Sequence, residues 1–529
     1  MGKKIFNERI YTLTAIILMI IYAVTGVFCY DDYGCGPDEG MERQTSLVNY
    51  KYVIHKLQIP IDEKNEAWLG YLPELHEYRD RYYGTALHFP LVLIESLYHF
   101  SLEPSQFYGM RHFYTFLNYF LGVFCIYKLL SKRFESTKYG IIGIIMLILF
   151  PRFFAESFYN NKDVIFVAWY AVCCYLIARW FQKRDLTTSI LLAFCFALTC
   201  NTRFNGIVFF PVFIFLYVFD CIRYKNINGL KEFLMVLFAS VLFFYLITPN
   251  FWENPIETLK ETIQFNMHHP NHGSEGNLFK GVLVDAAKTL TYIPVWIIIT
   301  TPVIYLLLIL GGSVKYSFDL IKQILHRDYK TVHLTDAMMF IVGYGAVFFI
   351  IIAHVTIYNG WRHCYFAYPC FVYFAVYLLY KLENSSFPFI RKFCYAVLAF
   401  SAVYNACWII KNHPYEYVYF SPIARSQSNR FSGDYWGISS RALLEYITEI
   451  DPEKVIKINH IYSQAGSINR GLLPEEKRRF LDMVYEQTDD VSYYIVCRDN
   501  IPDVDIDIPG YQKIYSITVD NDEFAAVYR

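Results

Sequence analysis

Carboxylates follow the first apolar stretch of this sequence in a short polar run at positions 31–40. Asp38 and Glu39 in that run are of the type that removes a proton from an acceptor hydroxyl as a general base. Asp31 and Asp32 could share this role, but they lie closer to the apolar stretch, where polar residues commonly end a helix. We therefore take Asp38 and Glu39 as the candidate catalytic carboxylates.

Basic residues occur in three further polar clusters, at positions 151–163, 201–206 and 358–363. Each cluster contributes a cation able to neutralise a phosphate: Lys162, Arg203 and Arg362. Arginine does so through two parallel N–H groups and lysine as a point charge. The pattern favours a reaction that deprotonates a nucleophile and holds an anionic leaving group. The alternative is that these residues cap helix ends and pair with one another at the membrane interface.

Histidines form two weaker candidates. Three of them lie in one polar loop and are of a type that binds metal ions: His268, His269 and His272. A solvated loop explains these three better than a metal site does. His88 and His99 lie on an apolar stretch at positions 85–100, where an interfacial position explains them. Of the two, we keep His88 as a candidate substrate contact.

Composition indicates what kind of protein must position these residues. Of the 529 residues, 55% are hydrophobic, 19% are aromatic and only 18% are charged, whereas a soluble domain carries about 25% charged residues. The content of aromatic residues is high, and rings that lie at the depth of the lipid headgroups explain part of it. The net charge of -1 provides no basic field for nucleic acid. The cysteines lie mostly inside apolar segments without metal-binding spacing, so we interpret them as small hydrophobic residues.

Apolar stretches of about 20 residues, the length that crosses a bilayer, recur along most of the chain. We predict about eleven spans near these positions: 10–30, 112–130, 139–154, 163–181, 188–202, 205–222, 232–249, 291–312, 336–357, 363–380 and 393–410. The first stretch follows basic residues and lacks a clear cleavage site. It is therefore expected to be a retained signal anchor.

The apolar stretch at positions 85–100 is shorter, and the distribution of charge decides its placement. We predict that it lies flat on the outer surface, because all short basic segments then fall on the cytoplasmic side, as expected for membrane proteins. Those segments lie at positions 132–138, 183–184, 223–231, 315–330 and 381–392. The N-terminus is then inside. All four polar clusters face outward, although they were not used in this assignment.

The predicted fold is an all-α polytopic membrane protein with a small extracytoplasmic α/β domain. The membrane domain at 1–410 carries a large first outer loop at 31–111. The tail at 411–529 is polar, with helical runs and with alternating stretches typical of strands. The sequence shows no internal repeat and no glycine-rich phosphate loop.

The clusters, taken in order, resemble the motifs of the GT-C superfamily of membrane glycosyltransferases, especially its bacterial family 39-like branch. That branch is related to protein O-mannosyltransferases and to lipid A aminoarabinose transferases. Asp38-Glu39 resembles the acidic motif of the first outer loop, and positions 154–163 resemble a second-loop motif that ends in Lys-Asp. Four further runs resemble family sequences: 201–206, 358–363, 413–415 and 434–437. One departure is Met-Glu-Arg at positions 41–43, where parts of the superfamily have a histidine.

The resemblance implies transfer of a sugar, usually with inversion, from a polyprenyl-phosphate carrier to an acceptor outside the cytoplasm. It makes Asp38 the candidate base with Glu39 beside it, and Asp163 a second acidic residue that orients substrate or supports a metal. It also makes four residues candidates for binding the carrier phosphate and the sugar: Lys162, Arg203, Arg362 and His363. Three more residues are kept as candidate substrate contacts: Tyr358, Trp361 and His88. The resemblance identifies no definite cofactor and leaves a divalent metal open.

The sugar stays open, and so does the acceptor, which is a lipid, a glycan or a protein. We expect a bacterial plasma membrane location with the active site on the extracytoplasmic face. A transporter or flippase of lipid-linked sugars would instead place charged or broken segments near the bilayer midplane and carry an inverted repeat. A polymerase or ligase of lipid-linked glycans would share the donor, and outer loops rich in arginine would favour it.

Overall fold

A computed structural model of the protein describes residues 2–267, 275–383, 388–452, 455–486 and 490–529. Within these residues the chain is mostly helical, and its strands form a two-stranded ribbon and a five-stranded C-terminal sheet. This architecture confirms the predicted fold class.

The first half of the chain forms helices that alternate with short loops. They are α1 Gly2–Cys29, α2 Pro37–Lys56, α3 Glu63–Leu69, α4 Phe89–Leu97, α5 Pro104–Arg133, α6 Thr137–Ile148, α7 Pro151–Tyr159, α8 Asp163–Gln182, α9 Leu186–Thr202, α10 Phe209–Tyr224, α11 Leu230–Ile247 and α12 Pro255–Met267.

The next part begins with a β-ribbon and returns to helices. Its elements are β1 Asn277–Phe279, β2 Val282–Val284, α13 Tyr292–Thr300, α14 Val303–Leu325, α15 Leu334–Phe340, α16 Ala346–Ile352, α17 Tyr368–Glu383 and α18 Pro388–Asn412. The tail then forms α19 Ser440–Ile450, β3 Ile456–Tyr462, α20 Gly466–Leu472, α21 Glu475–Arg478, β4 Leu481–Val484, β5 Tyr493–Cys497, β6 Lys513–Val519 and β7 Asp522–Tyr528.

Nine helical segments among the described residues are long and apolar enough to cross a membrane. They are Phe6–Cys29, Pro104–Arg133, Asp163–Gln182, Phe204–Tyr224, Leu230–Ile247, Val303–Leu325, Leu334–Ile352, Arg362–Glu383 and Pro388–Asn412. The bent pair α6 and α7 makes a tenth candidate, and α9 is a shorter apolar helix of 17 residues. A multi-pass membrane protein is thus confirmed, while the count of eleven spans and their orientation stay predictions.

Prolines explain where two of the predicted spans are broken. Before Pro151, Phe150 is extended, and the axes of α6 and α7 differ by 72°. Before Pro302, Thr301 is extended, so α13 ends at Thr300 and a new helix begins at Val303. The residue before a proline is disfavoured in the helical conformation because the proline ring clashes with it. The predicted spans at 139–154 and 291–312 are therefore each two helices.

The stretch at positions 85–100 contains α4, which has only 9 residues. A helix of that length measures about 14 Å, whereas the hydrocarbon core is about 30 Å thick. The helix therefore cannot cross the membrane, in agreement with the prediction that this stretch does not span. Its orientation on the surface stays a prediction.

Small residues allow the central helices to approach closely. The helix α5 packs along α8, and a Cβ added at Gly122 would lie 2.7 Å from the Cα of Ala168. The helix α14 packs along α17, where a Cβ at Gly312 would lie 1.8 Å from the carbonyl oxygen of Phe374. Backbones this close leave no room for a side chain. These contacts set the spacing of the bundle that carries the polar clusters.

The tail forms a mixed sheet with the strand order β4-β3-β5-β7-β6. The strand β3 is parallel to β4 and β5, whereas β7 is antiparallel to β5 and β6. The helix α19 buries Leu443, Leu444 and Ile447. The small C-terminal sheet is thus confirmed, and the domain boundary at 410 stays a prediction; α18 itself ends at Asn412.

A histidine ties the tail to the loop that follows α1. His413 Nε2 lies 2.9 Å from Asp32 Oδ2, and His413 Nδ1 lies 2.7 Å from Glu416 Oε1. The Tyr33 hydroxyl donates to Glu416 Oε2 at 3.0 Å. Burial alone would lower the pKa of His413, but hydrogen bonds and charge from Glu416 and Asp32 outweigh it and raise the pKa to about 9. The protonated imidazole therefore holds the two segments together at neutral pH.

This contact predicts a pH-dependent stability. Because the pKa of His413 rises from 6.5 to about 9 on folding, its contribution is complete below about pH 6.5 and is lost as the pH rises through about 9. The thermal midpoint of the detergent-solubilised protein should fall more steeply over that range in wild type than in His413→Gln. The control is His55→Gln, which alters an exposed histidine. Its thermal midpoint should change with pH as steeply as that of wild type. Equal slopes for wild type and His413→Gln would contradict this assignment.

Candidate active site

The beginning of α2 separates the roles of the two adjacent carboxylates. Gly36 is extended, and Pro37 occupies the first turn of the helix, where its missing N–H costs nothing. The Glu39 carboxylate turns back and accepts a hydrogen bond from the Gly36 N–H at 3.0 Å. Its other oxygen, Oε2, lies 2.9 Å from His112 Nε2 on α5. Glu39 thus caps the helix and pairs with His112, whereas Asp38 points elsewhere.

Asp38 is the first member of a chain of alternating charges. Its Oδ2 lies 2.8 Å from Nη1 of Arg362, and the same Nη1 lies 3.3 Å from Asp163 Oδ2. Asp163 also forms an ion pair with Arg203. The first residue of α8 is Asp163, where the helix dipole favours a negative charge. All four predicted clusters therefore meet at this point, although they are far apart in the sequence.

Lys162 connects the cluster to Glu42, a residue that was not among the candidates from the sequence. Its ammonium group forms an ion pair with Glu42 Oε1 and lies 3.3 Å from the ring centre of Tyr83. His88 Nε2 lies 3.8 Å from Glu42 Oε2. The available signal for Glu42 was its spacing, since it follows Asp38 by four residues and so shares one face of α2. Tyr83 had no comparable signal.

The charges of these groups follow from their surroundings. Burial alone would raise the pKa of Asp38, but the Arg362 guanidinium and its hydrogen bond lower that pKa below its usual value. Burial raises the pKa of Glu42 even though Lys162 opposes the change. Burial, together with nearby cations, lowers the pKa of His88 to about 3. Asp38 is therefore ionised and His88 is neutral at pH 7.

Aromatic rings surround the guanidinium of Arg362. Its Cζ lies 4.5 Å from the ring centre of Trp436 and 4.8 Å from that of Tyr358. The rings of Tyr358 and His363 meet edge to face at 4.7 Å. Trp436 comes from the tail, within the run at 434–437 that resembles the family. The tail therefore contributes directly to this cluster.

Trp361, another predicted substrate contact, lies in the aromatic core. Its Nε1 donates to Thr300 Oγ1 at 2.9 Å, and its ring meets those of Tyr365 and Phe153. Only 2% of Trp361 is exposed. These contacts favour a packing role, and a role in binding substrate stays a prediction.

A small cavity adjoins the charged cluster, and a larger one is lined in part by residues that follow Tyr83 in the chain. The smaller has a volume of about 60 Å³ and is lined in part by Tyr83, Arg203, Tyr358 and His363. The larger, which we name the apolar groove, has a volume of about 740 Å³. It is lined by Val53, Lys56, Leu57, Thr85, Ala86, Phe89, Tyr245, Leu246, Ile247, Pro249 and Trp252. The segment after Tyr83 thus leads from the charged cluster into this groove.

Metal binding is chemically feasible at two groups of side chains among the described residues. One group is Cys29, Asp32 and His413, and the other is Cys35, Glu39 and His112. The histidines His268, His269 and His272, considered above for a metal, lie outside the described residues. The carboxylates of Asp38 and Asp163 are paired with arginines instead.

The bundle of apolar helices, with charged side chains gathered at helix ends, defines a multi-pass membrane protein. The model of the dolichyl-phosphate-mannose-protein mannosyltransferase family matches residues 109–253. This match confirms the predicted resemblance to GT-C membrane glycosyltransferases. The matched region includes Lys162, Asp163 and Arg203, whereas Asp38 and Arg362 lie outside it.

Among solved structures, the chain is similar to "ArnT from Cupriavidus metallidurans in the apo state". The two chains share 11% identity with a TM-score of 0.44, over 98% of this chain and 97% of the other. No match is found among curated proteins.

The buried pair of Glu42 and Lys162 predicts a large loss of stability when one partner is removed. Glu42→Gln leaves the Lys162 ammonium without its carboxylate, which should lower the free energy of unfolding by about 3 kcal/mol. The matched control is Glu257→Gln, because Glu257 and Lys260 form an exposed pair whose loss costs about 1 kcal/mol or less. Denaturation of the solubilised protein measures both values.

The double variant Glu42→Gln with Lys162→Met should recover most of the lost stability, since no charge is then left buried without a partner. Equal stabilities of Glu42→Gln and Glu257→Gln would show that Lys162 does not depend on Glu42.

Proposed function

We propose that this protein transfers a sugar from a polyprenyl-phosphate carrier to the hydroxyl group of an extracytoplasmic acceptor, with inversion. The observation that carries this proposal is the charge chain from Asp38 through Arg362 and Asp163 to Arg203, together with the apolar groove that begins two residues after Tyr83. Such a donor has a charged phosphate at the membrane interface and an apolar tail. A site of this kind needs cations and an apolar surface side by side.

The cations of the cluster are suited to the carrier phosphate. Lys162, Arg203 and Arg362 each pair with a carboxylate in this structure. The phosphodiester of such a donor offers an arginine two acceptor oxygens, as a carboxylate does, and its negative charge increases when the sugar leaves, so it can replace a carboxylate as the partner. The carrier tail would lie in the apolar groove, where its burial favours binding. The leaving phosphate would remain neutralised as the bond to the sugar breaks.

Asp38 is the more suitable of the two adjacent carboxylates to act as the base. Its side chain is 29% exposed, whereas that of Glu39 is 1% exposed and is engaged by His112. Arg362 lowers the pKa of Asp38 and so weakens it as a base. When the donor phosphate draws Arg362 toward itself, the pKa of Asp38 should rise. Binding of the donor would thereby prepare the base for the acceptor.

The proposed reaction is a single displacement. The acceptor oxygen attacks the anomeric carbon while its proton passes to Asp38, and the bond between that carbon and the phosphate oxygen breaks. The electron pair leaves with the polyprenyl phosphate. One displacement at this carbon inverts its configuration. Asp163 would act mainly by holding Arg203 and Arg362 in place.

The face of the membrane follows from the distribution of basic segments in the sequence, which places the four clusters outside. We propose the bacterial plasma membrane as the location. The acceptor is a lipid, a glycan or a protein of the cell envelope.

Asp38→Asn should lower kcat for sugar transfer by at least about 100-fold, because the base is lost. Purified protein, a radiolabelled polyprenyl-phosphate sugar and a membrane extract as acceptor provide the assay. The matched control is Asp336→Asn, since Asp336 is also buried against an arginine, Arg133, but lies outside the cluster. Similar rates for wild type and Asp38→Asn would refute the role of Asp38 as the base.

A topology measurement tests the proposed face separately. A reporter that is active only outside the cytoplasm should be active when fused after Arg529 and inactive when inserted after Arg184, in the loop between α8 and α9. The reverse pattern would overturn the assignment of the active site to the outer face.

A further inference from the structure

Three potential metal ligands lie together beside the proposed active site. Cys35, Glu39 and His112 are 0%, 1% and 2% exposed. His112 Nε2 lies 2.9 Å from Glu39 Oε2 and 3.7 Å from the Sγ of Cys35. A thiolate, an imidazole and a carboxylate are the three ligand types that proteins use for zinc. Thiolate and imidazole ligands do not suit magnesium or calcium.

The distances among these atoms are close to those that a tetrahedral zinc ion would impose. Typical bonds of zinc to sulfur, nitrogen and oxygen place the sulfur and nitrogen about 3.5 Å apart and the nitrogen and oxygen about 3.3 Å apart. The observed separations of 3.7 and 2.9 Å differ from these values by only a few tenths of an ångström. Small side-chain rotations would therefore suffice to bind the ion.

The surroundings orient two of the ligands. His112 Nδ1 lies 3.1 Å from the carbonyl oxygen of Tyr30. A proton on Nδ1 donated to that carbonyl leaves the lone pair of Nε2 directed at Glu39 and Cys35, which is the usual arrangement of a metal-binding histidine. A neutral imidazole in this position needs a cation between Nε2 and the carboxylate. The alternative is an imidazolium paired with Glu39.

The tail holds the cysteine in place. The Cys35 N–H donates to Asn469 Oδ1 at 2.9 Å, and Asn469 Nδ2 donates to the Cys35 carbonyl at 2.9 Å. A second carboxylate, that of Asp31, is close enough for its charge to act on both Cys35 and His112. Negative charge near the ligands favours a divalent cation.

We propose that Cys35, Glu39 and His112 bind a zinc ion that fastens the beginning of α2 to α5 and so positions Asp38. The ion lies beside the reaction centre rather than in it, because Glu39 points away from the charge chain while its neighbour Asp38 belongs to that chain. When zinc binds, the Cys35 thiol releases its proton to solvent and the thiolate takes its place as a ligand. A water or Asp31 would complete the tetrahedron.

The metal content of the purified full-length protein tests this proposal. Wild type produced with added zinc and then dialysed should retain about one zinc ion per chain, measured by mass spectrometry of the metals. Cys35→Ser and His112→Gln should retain almost none. The matched control Cys125→Ser alters another buried cysteine of the bundle, on the same helix as His112, and should retain the wild-type content. Wild type without zinc would overturn the proposal.

A second measurement separates this site from its neighbour. Zinc that is retained by Cys35→Ser but lost in His413→Gln would be bound by Cys29, Asp32 and His413, which would also overturn the proposal. In the protein loaded with cobalt, wild type should show charge-transfer absorption from a thiolate, and Cys35→Ser should not. Added zinc should raise the thermal midpoint of the metal-free wild type and leave that of Cys35→Ser unchanged.

Discussion

The contact of Arg362 with Asp38 and Asp163 joins the parts of the protein that matter for its proposed chemistry. Arg362 is only 3% exposed, so the desolvation of its charge must be compensated by carboxylates. Those carboxylates begin α2 and α8, and Arg203 at the end of α9 extends the chain of charges through Asp163. The helix packing must therefore bring these helix ends together. A phosphate that binds Arg362 would change how the charges of the whole cluster pair with one another.

The tail contributes residues that contact the site directly. Trp436 lies against the Arg362 guanidinium, and Asn469 holds the backbone of Cys35 just before α2 begins. His413 links the same loop to the end of α18. Without the tail, the cluster would lose the ring of Trp436 beside Arg362 and the hydrogen bonds of Asn469 to Cys35, just before α2.

Much of the architecture could be predicted from local patterns. The apolar stretches correspond to helices, and the alternating pattern in the tail corresponds to strands. The breaks before Pro151 and Pro302 were also encoded locally, but counting hydrophobic residues does not detect them, because a proline ends a helix by steric clash and not by polarity. In the site, Lys162 and Asp163 were found by their residue types. Glu42 was not, since a glutamate on a helix has many possible roles.

The sequence by itself determined which residues carry charge at the ends of apolar segments, and hence the kind of chemistry that the chain can support. Only the tertiary structure decided how those charges pair. Asp38 and Glu39 are neighbours of equal promise in the sequence, yet Glu39 is engaged by Gly36 and His112 whereas Asp38 contacts Arg362. The physical reason is that each pairing joins segments far apart in the chain. Their proximity depends on helix packing, which no local pattern contains.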